Sequence, residues 1–315
     1  MTDPIDPRRR RFLEGALAAA GTGLASTAWA APEASAASSP VDVFAEPGPV
    51  TWTLGIEDVD ALFSHVAGLG MRALQFASDQ RHYEPSAVVK ASERHGVKVV
   101  AVDPFDCGPR DPKSASAKGA IAYYKQTVDF AVACGAPAIT LQGLTTWVKN
   151  AQSKQAAYAR LVECVKAVSD YAGSKGIATW FEPCNHYEIP LIHNVDEYFQ
   201  LTEDADSPQV GLVFDSFHMN IDDPAPLRSL ERAGDRLVSY QISDSNRGGI
   251  GDGHVDFLGQ VQTMKAIGFT GTVAIEVGLF DRIPHNPPKR PEDLARLDAK
   301  LKKTAALWKA MVAAA

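Results

Sequence analysis

Gly211-Leu-Val-Phe-Asp215-Ser-Phe-His218-Met-Asn220 is the stretch from which the fold can be read. A short run of β-favouring apolar residues ends on a carboxylate and passes directly into a polar turn. Three other stretches likewise place one polar residue at or near the end of a β-favouring run: Ala178-Thr-Trp-Phe-Glu182-Pro183, Val238-Ser-Tyr-Gln241-Ile-Ser243 and Val273-Ala-Ile-Glu276-Val-Gly278. The polar residues Glu182, Asp215, Gln241 and Glu276 are separated by 33, 26 and 35 residues, each about one strand-plus-helix repeat.

The same alternation extends in both directions. β-rich runs at 51–54, 73–77, 98–102, 138–141, 178–181, 210–214, 237–242 and 272–277 predict eight strands. Helical periodicity fills the intervals at 58–67, 84–95, 116–133, 151–176, 195–203, 225–232 and 257–267, and again from 291 to the end. Gly68, Gly96, Gly135 and Gly176 fall where left-handed helix stops are expected. No strand is followed by the glycine-rich phosphate turn of an open doubly wound sheet. The pattern therefore predicts a single (β/α)8 barrel over residues 50–315, of the TIM type.

The start of the chain differs in composition. Arg8-Arg9-Arg10-Arg11-Phe12-Leu13 precedes a charge-free run rich in Ala and Gly from Gly15 to Ala30, with small residues flanking Trp29. This resembles a twin-arginine export signal over residues 1–30 and implies a periplasmic or secreted protein. Residues 31–49, rich in Ala, Ser and Pro, read as a linker. The apolar run is too short to predict a membrane-embedded protein. Lys and Arg total 31 against 38 Asp and Glu, with the basic residues scattered beyond the first dozen positions, which argues against a nucleic-acid partner. Cys107, Cys134, Cys164 and Cys184 lack CxxC spacing, so buried thiols are expected, although an oxidising compartment would permit up to two disulfides.

Barrel strands deliver their C-terminal ends to one mouth. Any one carboxylate there reads as a helix cap or a solvated group, but three converging would repel one another unless a cation sat between them. Glu182, Asp215, Gln241 and Glu276 are thus the expected ligands of a divalent metal. Their all-oxygen character favours Mn²⁺, then Mg²⁺ or Co²⁺, over a thiolate-bound zinc.

Glu182-Pro-Cys-Asn-His-Tyr-Glu188, Phe214-Asp-Ser-Phe-His-Met-Asn220, Asn246-Arg247 and Ile275-Glu276 resemble the sugar isomerase/epimerase family with xylose-isomerase-like barrels, closest to the ketose 3-epimerase pattern. The resemblance runs from about Val50 onward. It implies that Glu182 and Glu276 are at once metal ligands and the acid/base pair, that Asp215 is a third ligand, and that Glu188, His218 and Arg247 contact substrate oxygens. The expected function is epimerisation or isomerisation of a non-phosphorylated keto-sugar by proton transfer through an enediolate.

Gln241 departs from the histidine of the epimerase pattern, and a Glu-Asp-Gln-Glu set resembles related barrel dehydratases. A lyase acting by β-elimination on a 3-keto-glycoside or cyclic hydroxy-ketone is therefore the alternative, with His254 in the loop after the seventh strand as a leaving-group acid. A non-catalytic sugar-binding barrel would need neither glutamate as a base. Trp147, Tyr187 and Phe217 are candidates to stack on a sugar ring, Asp79, His82 and Asp103 follow the second and third strands, and the final helix leaves room for a homo-oligomer contact.

Overall fold

The computed structural model describes residues 44–105, 107–279 and 287–315. The expected signal peptide at 1–30 and most of the expected linker lie outside the described residues.

Eight parallel strands run in the order β1-β8-β7-β6-β5-β4-β3-β2. They are β1 (Gly48–Pro49), β2 (Ala73–Ala77), β3 (Lys98–Asp103), β4 (Ala138–Thr140), β5 (Ala178–Phe181), β6 (Gly211–Asp215), β7 (Leu237–Ile242) and β8 (Thr272–Ile275). β1 pairs with β8 in the register Gly48↔Ala274, and a parallel bridge between Val50 and Gln75 joins the remaining edges, closing the barrel. Closure leaves no open sheet edge. Helices Val59–Gly68, Pro85–His95, Ala117–Cys134, Lys154–Ser174, Val195–Asp204, Pro226–Ala233, Phe257–Ala266 and Pro291–Ala314 follow the strands in turn.

Seven strands lie where the periodicity predicts them, but the first does not. The run at 51–54 is a 3-10 turn, Thr51–Leu54, ended by Gly55 in the left-handed region (φ 67°). The strand precedes it at Gly48–Pro49, so the barrel starts before residue 50. Two local features explain this. A Cβ at position 48 would lie 1.8 Å from the Ala73 carbonyl oxygen, so only glycine lets β1 come this close to β2. Thr53 then bends the chain back, its hydroxyl donating to the Val50 carbonyl at 2.8 Å. The Thr51 hydroxyl accepts from the Ala77 amide at 2.8 Å, which pins the turn over the end of β2.

The helices wrap a continuous apolar layer. Trp308 of the last helix is fully buried, stacks on Tyr240 of β7 at 5.3 Å, and donates from its indole to the Phe44 carbonyl at 2.7 Å. Phe44 meets Phe269 and Trp308 edge-on. The segment just before β1 is thereby fastened to the final helix. All four cysteines are buried free thiols. Among the described residues no helix is long and apolar enough to cross a membrane.

Trp308 is fully buried between Phe44 and Tyr240, so truncation leaves a large cavity. Trp308→Ala should lower unfolding stability by about 3–5 kcal/mol in a denaturant titration. A loss below about 1 kcal/mol would show that the clasp contributes little.

Candidate active site and metal centre

β5, β6, β7 and β8 bring Glu182, Asp215, Gln241 and Glu276 together at one end of the barrel, all buried. Oxygens of Glu182, Asp215 and Glu276 lie within 4.8 Å of one another. Gln241 points one end of its amide at all three, 2.9 Å from Glu182 Oε1, 2.9 Å from Glu276 Oε2 and 3.2 Å from Asp215 Oδ2. An octahedral ion with metal–oxygen bonds of about 2.1 Å spaces its neighbouring ligands by about 3 Å, so the four side chains fit such an ion. The donor set is oxygen-only, the kind that suits Mg²⁺ or Mn²⁺.

Arg247 supplies the positive charge that the chain itself contributes. Its Nη1 donates to Asp215 Oδ2 at 2.6 Å, its Nη2 lies 3.0 Å from Glu276 Oε1, and the guanidinium sits 4.8 Å over the Phe217 ring. Arg247 holds this position with a left-handed backbone (φ 62°), closing a turn in which its amide donates to the Asp244 carbonyl at 2.8 Å. Such a conformation costs a non-glycine residue about 1–3 kcal/mol, which the two charged contacts offset.

Trp52, in the 3-10 turn that sequence reads as a strand, donates its indole N–H to Glu276 Oε1 at 2.6 Å. This oxygen is therefore held by both Trp52 and Arg247, while Oε2 faces Gln241 and the other carboxylates. Trp52 stacks on Phe105 with ring centroids 5.1 Å apart. Phe105 lines both a cavity of about 360 Å³ above the carboxylates and a larger one of about 870 Å³ beside β1 and β2, and Trp52 lines the larger.

Asp103 closes the β3 side of the site. It accepts from Thr140 Oγ1 at 2.6 Å, Gln142 Nε2 at 2.9 Å and Gln75 Nε2 at 3.1 Å. Sequence reading misses Trp52, Gln75, Thr140 and Gln142. For Gln75 a signal exists, since a lone amide in Ala73-Leu-Gln-Phe-Ala77 must point to one face of the strand and satisfy itself there.

His218 lies between two carboxylates, its Nε2 3.6 Å from Glu182 Oε1 and 4.0 Å from Glu188 Oε2. Its Nδ1 accepts from the Asn185 backbone N–H at 3.2 Å, so the ring proton must sit on Nε2, facing the cavity. Glu188 is steadied by the Asn185 side-chain amide at 3.1 Å. Both residues line the 360 Å³ cavity with Arg247, and Tyr187 stands exposed at its rim.

Two expected substrate contacts do not belong here. Trp147 is buried against the helix Ala117–Cys134, where a Cβ at Gly119 would come within 2.9 Å of its ring, and it packs on Tyr123 at 5.9 Å. It is a packing residue because the absence of a side chain at Gly119 opens a slot for it. His254 is exposed and tied to the Ser245 hydroxyl at 2.9 Å, and it does not line the cavity. His186 pairs with Asp222 at 2.8 Å, and Asp79 with Arg81 at 2.6 Å, both also away from the carboxylates.

Burial dominates the electrostatics. It pushes the Glu182 carboxyl well above its ordinary range, and Glu276 and Asp215 push it further. Asp215 rises to about 8 by burial, with Arg247 pulling down and Glu276 pushing up, and Asp103 rises to about 6, also chiefly by burial. Burial opposes the charge on Arg247, yet the surrounding carboxylates outweigh it and hold the guanidinium above its usual value.

The family model described as xylose isomerase-like TIM barrel matches residues 63–301, and the chain belongs to that family. The L-ribulose 3-epimerase of Methylomonas sp. strain DH-1 is 33% identical over 118 residues, covering 38% of this chain and 41% of the relative. The chain thus spans less than half the length of that curated relative. Among solved structures, the D-psicose 3-epimerase of Clostridium cellulolyticum H10, solved with D-tagatose, superposes with a TM-score of 0.72 at 20% identity, covering 85% of this chain and 99% of that one. A 3-keto-D-glucoside 4-epimerase of E. coli gives a TM-score of 0.69 at 16% identity, covering 84% and 99%. At these identities the structural likenesses define the fold.

The raised carboxyls set a pH dependence. A buried acid whose folded pKa is raised favours the folded state while protonated and loses that advantage as pH climbs through the folded value. Ion-free protein should therefore lose stability between about pH 4 and pH 8, the span opened by Asp103 and Asp215. Melting temperatures in EDTA across this range check it, and added Mn²⁺ should recover more stability at pH 8 than at pH 5. A melting temperature that rises steadily to pH 8 in EDTA would contradict the assignment.

Proposed function

We propose that this protein is a divalent-metal-dependent epimerase or isomerase of a non-phosphorylated keto-sugar. The observation that carries the reading is the convergence of buried Glu182 and Glu276, from β5 and β8, on one cavity with Asp215 and Gln241 between them. The family and the sugar epimerases among its relatives support it.

Glu182, Asp215, Gln241 and Glu276 would hold the ion, which when bound polarises a substrate carbonyl and offsets the negative charge that develops as the neighbouring C–H loses its proton. The chain's own groups account for the proton. Glu182 lines the cavity beside His218 and is placed to take or return a proton there. Glu276 presents Oε2, its other oxygen being occupied by Trp52 and Arg247. One carboxylate removes the proton from one face of the carbon and the other returns one to the opposite face, inverting the centre. His218, its Nε2–H directed between Glu182 and Glu188, is placed to donate to a substrate hydroxyl or carbonyl oxygen, and Glu188 to accept from a hydroxyl.

Two features bear on substrate class. Among the described residues Arg247 is the one cationic side chain lining the cavity, and its guanidinium is already committed to Asp215 and Glu276. A phosphate would find no lysine and no uncommitted arginine there among the described residues, which favours an uncharged sugar. The export-type start of the chain supports the same choice, because sugar phosphates are largely cytoplasmic, and we place the protein in the periplasm or outside the cell. The lyase alternative loses its proposed acid with His254 out of the cavity, though the shared first step keeps it a distinguishable outcome.

Mn²⁺-loaded protein in D₂O with a panel of ketoses and 3-keto-glycosides should give a new epimer or isomer carrying deuterium at the inverted or transferred position by NMR. An enone or a released aglycone would replace this reading with the lyase. No exchange with any sugar would leave a binding barrel. Glu182→Gln and Glu276→Gln should each lower turnover by at least about 10²-fold. One of the two should still exchange the proton of a single epimer without inverting it, and inversion at wild-type rate in either variant would end the two-carboxylate scheme. For location, replacing Arg8, Arg9, Arg10 and Arg11 together by lysine should retain the protein in the cytoplasm on cell fractionation. Unchanged export would remove the twin-arginine assignment.

A further inference from the structure

Gln241 sits against three carboxyl groups. If its oxygen points inward, it lies 2.9–3.2 Å from three carboxyl oxygens, and once these are ionised no hydrogen lies between them, an arrangement that a cation favours and its absence penalises. If its nitrogen points inward, the same separations become hydrogen bonds from the amide to Glu182, Glu276 and Asp215. The two orientations need opposite partners on the outer side, and Gln75 offers both. With oxygen inward, Gln241 Nε2 donates to Gln75 Oε1 at 3.4 Å. With nitrogen inward, the Gln241 oxygen accepts from Gln75 Nε2 at 3.2 Å.

Gln75 itself has no such freedom, because its Nε2 donates to Asp103 Oδ2 at 3.1 Å and Asp103 is fixed by Thr140 and Gln142. An Asp103 carboxylate only accepts, so it holds the Gln75 amide with nitrogen on its own side. Nε2 has a second hydrogen available for Gln241, and Oε1 remains free to accept from it. Gln75 is buried at 1% exposure and Gln241 is fully buried, so no solvent competes for these bonds.

Resting on the metal-dependent reading above, we infer that the Gln241 amide reverses when the ion enters, oxygen inward in the loaded site and nitrogen inward in the empty one, with Gln75, oriented by Asp103, as the residue that pairs it in both states. The amide then fills two roles. It neutralises the empty cluster by donation and joins the loaded one as a neutral oxygen ligand. Because the empty state keeps its own hydrogen bonds, the ion must displace them on entry. Gln75 and Asp103 are positioning residues in this scheme, since neither reaches the ion.

The test is NMR of the full chain with isotope-labelled glutamine, comparing EDTA-treated and Mg²⁺-loaded protein. Gln241→Leu identifies the Gln241 side-chain amide signal by its disappearance. In the ion-free protein that amide should be strongly deshielded by its carboxylate partners, and on Mg²⁺ addition it should move upfield as it turns to the Gln75 carbonyl. In parallel, the loss of the free Mn²⁺ signal in electron paramagnetic resonance gives the ion affinity without reference to turnover. Gln75→Leu should weaken Mn²⁺ binding about tenfold, the effect typical of losing a partner behind a metal ligand. Asp103→Asn, which leaves Gln75 in place but removes its fixed acceptor, should weaken it less and serves if Gln75→Leu fails to fold by circular dichroism. An ion retained with the Gln241 amide signal unmoved, or unchanged Mn²⁺ affinity in both variants, would overturn the reversal while leaving metal dependence intact. No ion retained by the wild-type protein would overturn both.

Discussion

The site is organised by a shortage of positive charge. Glu182, Asp215 and Glu276 are delivered by three strands to one buried place, and their separation is set by the barrel rather than by their mutual repulsion. Arg247 answers part of that charge, and its left-handed backbone shows how closely the loop after β7 is fitted to the task. Burial then determines the rest. It raises the carboxyls, strengthens every hydrogen bond made to them, and makes a second cation or a set of amide donors necessary.

How these groups are shared gives each glutamate a direction. Glu276 has one oxygen clamped by Trp52 and Arg247 and one turned inward. Glu182 stands beside His218, whose proton is fixed on the cavity side by a backbone amide. The two carboxylates therefore differ in surroundings although they are alike in sequence context, the kind of inequality that separates an acid from a base in proton-transfer enzymes. Asp103, Thr140, Gln142 and Gln75 form a polar wall whose bonds run mainly among themselves, and it meets the carboxylates through Gln241.

Much of this was legible in the sequence because strand ends are. Glu182 and Asp215 close apolar runs, Gln241 and Glu276 lie late in theirs, and the spacing of those runs carries barrel geometry directly. Gly48-Pro49 escaped notice as a strand because neither residue favours β structure; close approach to Ala73 requires the glycine, and no local pattern reports that contact. The β-favouring Thr51-Trp-Thr-Leu54 misled for the complementary reason, since tertiary bonds from Thr51 and Thr53 bend it into a turn and carry Trp52 to Glu276. Trp147 and His254 were placed correctly along the chain but not in direction. A loop position says that a side chain is near the mouth, whereas Gly119 and Ser245 decide which way it faces.

The seam of the barrel joins stability to chemistry. β1 has only two residues, one of them a proline without an amide hydrogen, and the clasp that backs it joins Phe44 to Trp308 across 264 positions of chain. Contacts so distant in sequence form late in folding and are paid for by closing a long loop. Val50 extends the same seam by donating to the Ile275 carbonyl at 3.0 Å, one residue from Glu276, and Trp52 follows two residues later. Parting β1 from β8 would carry the indole off the glutamate, so the seam that closes the barrel is also the joint on which the hydrogen bonding of Glu276 turns.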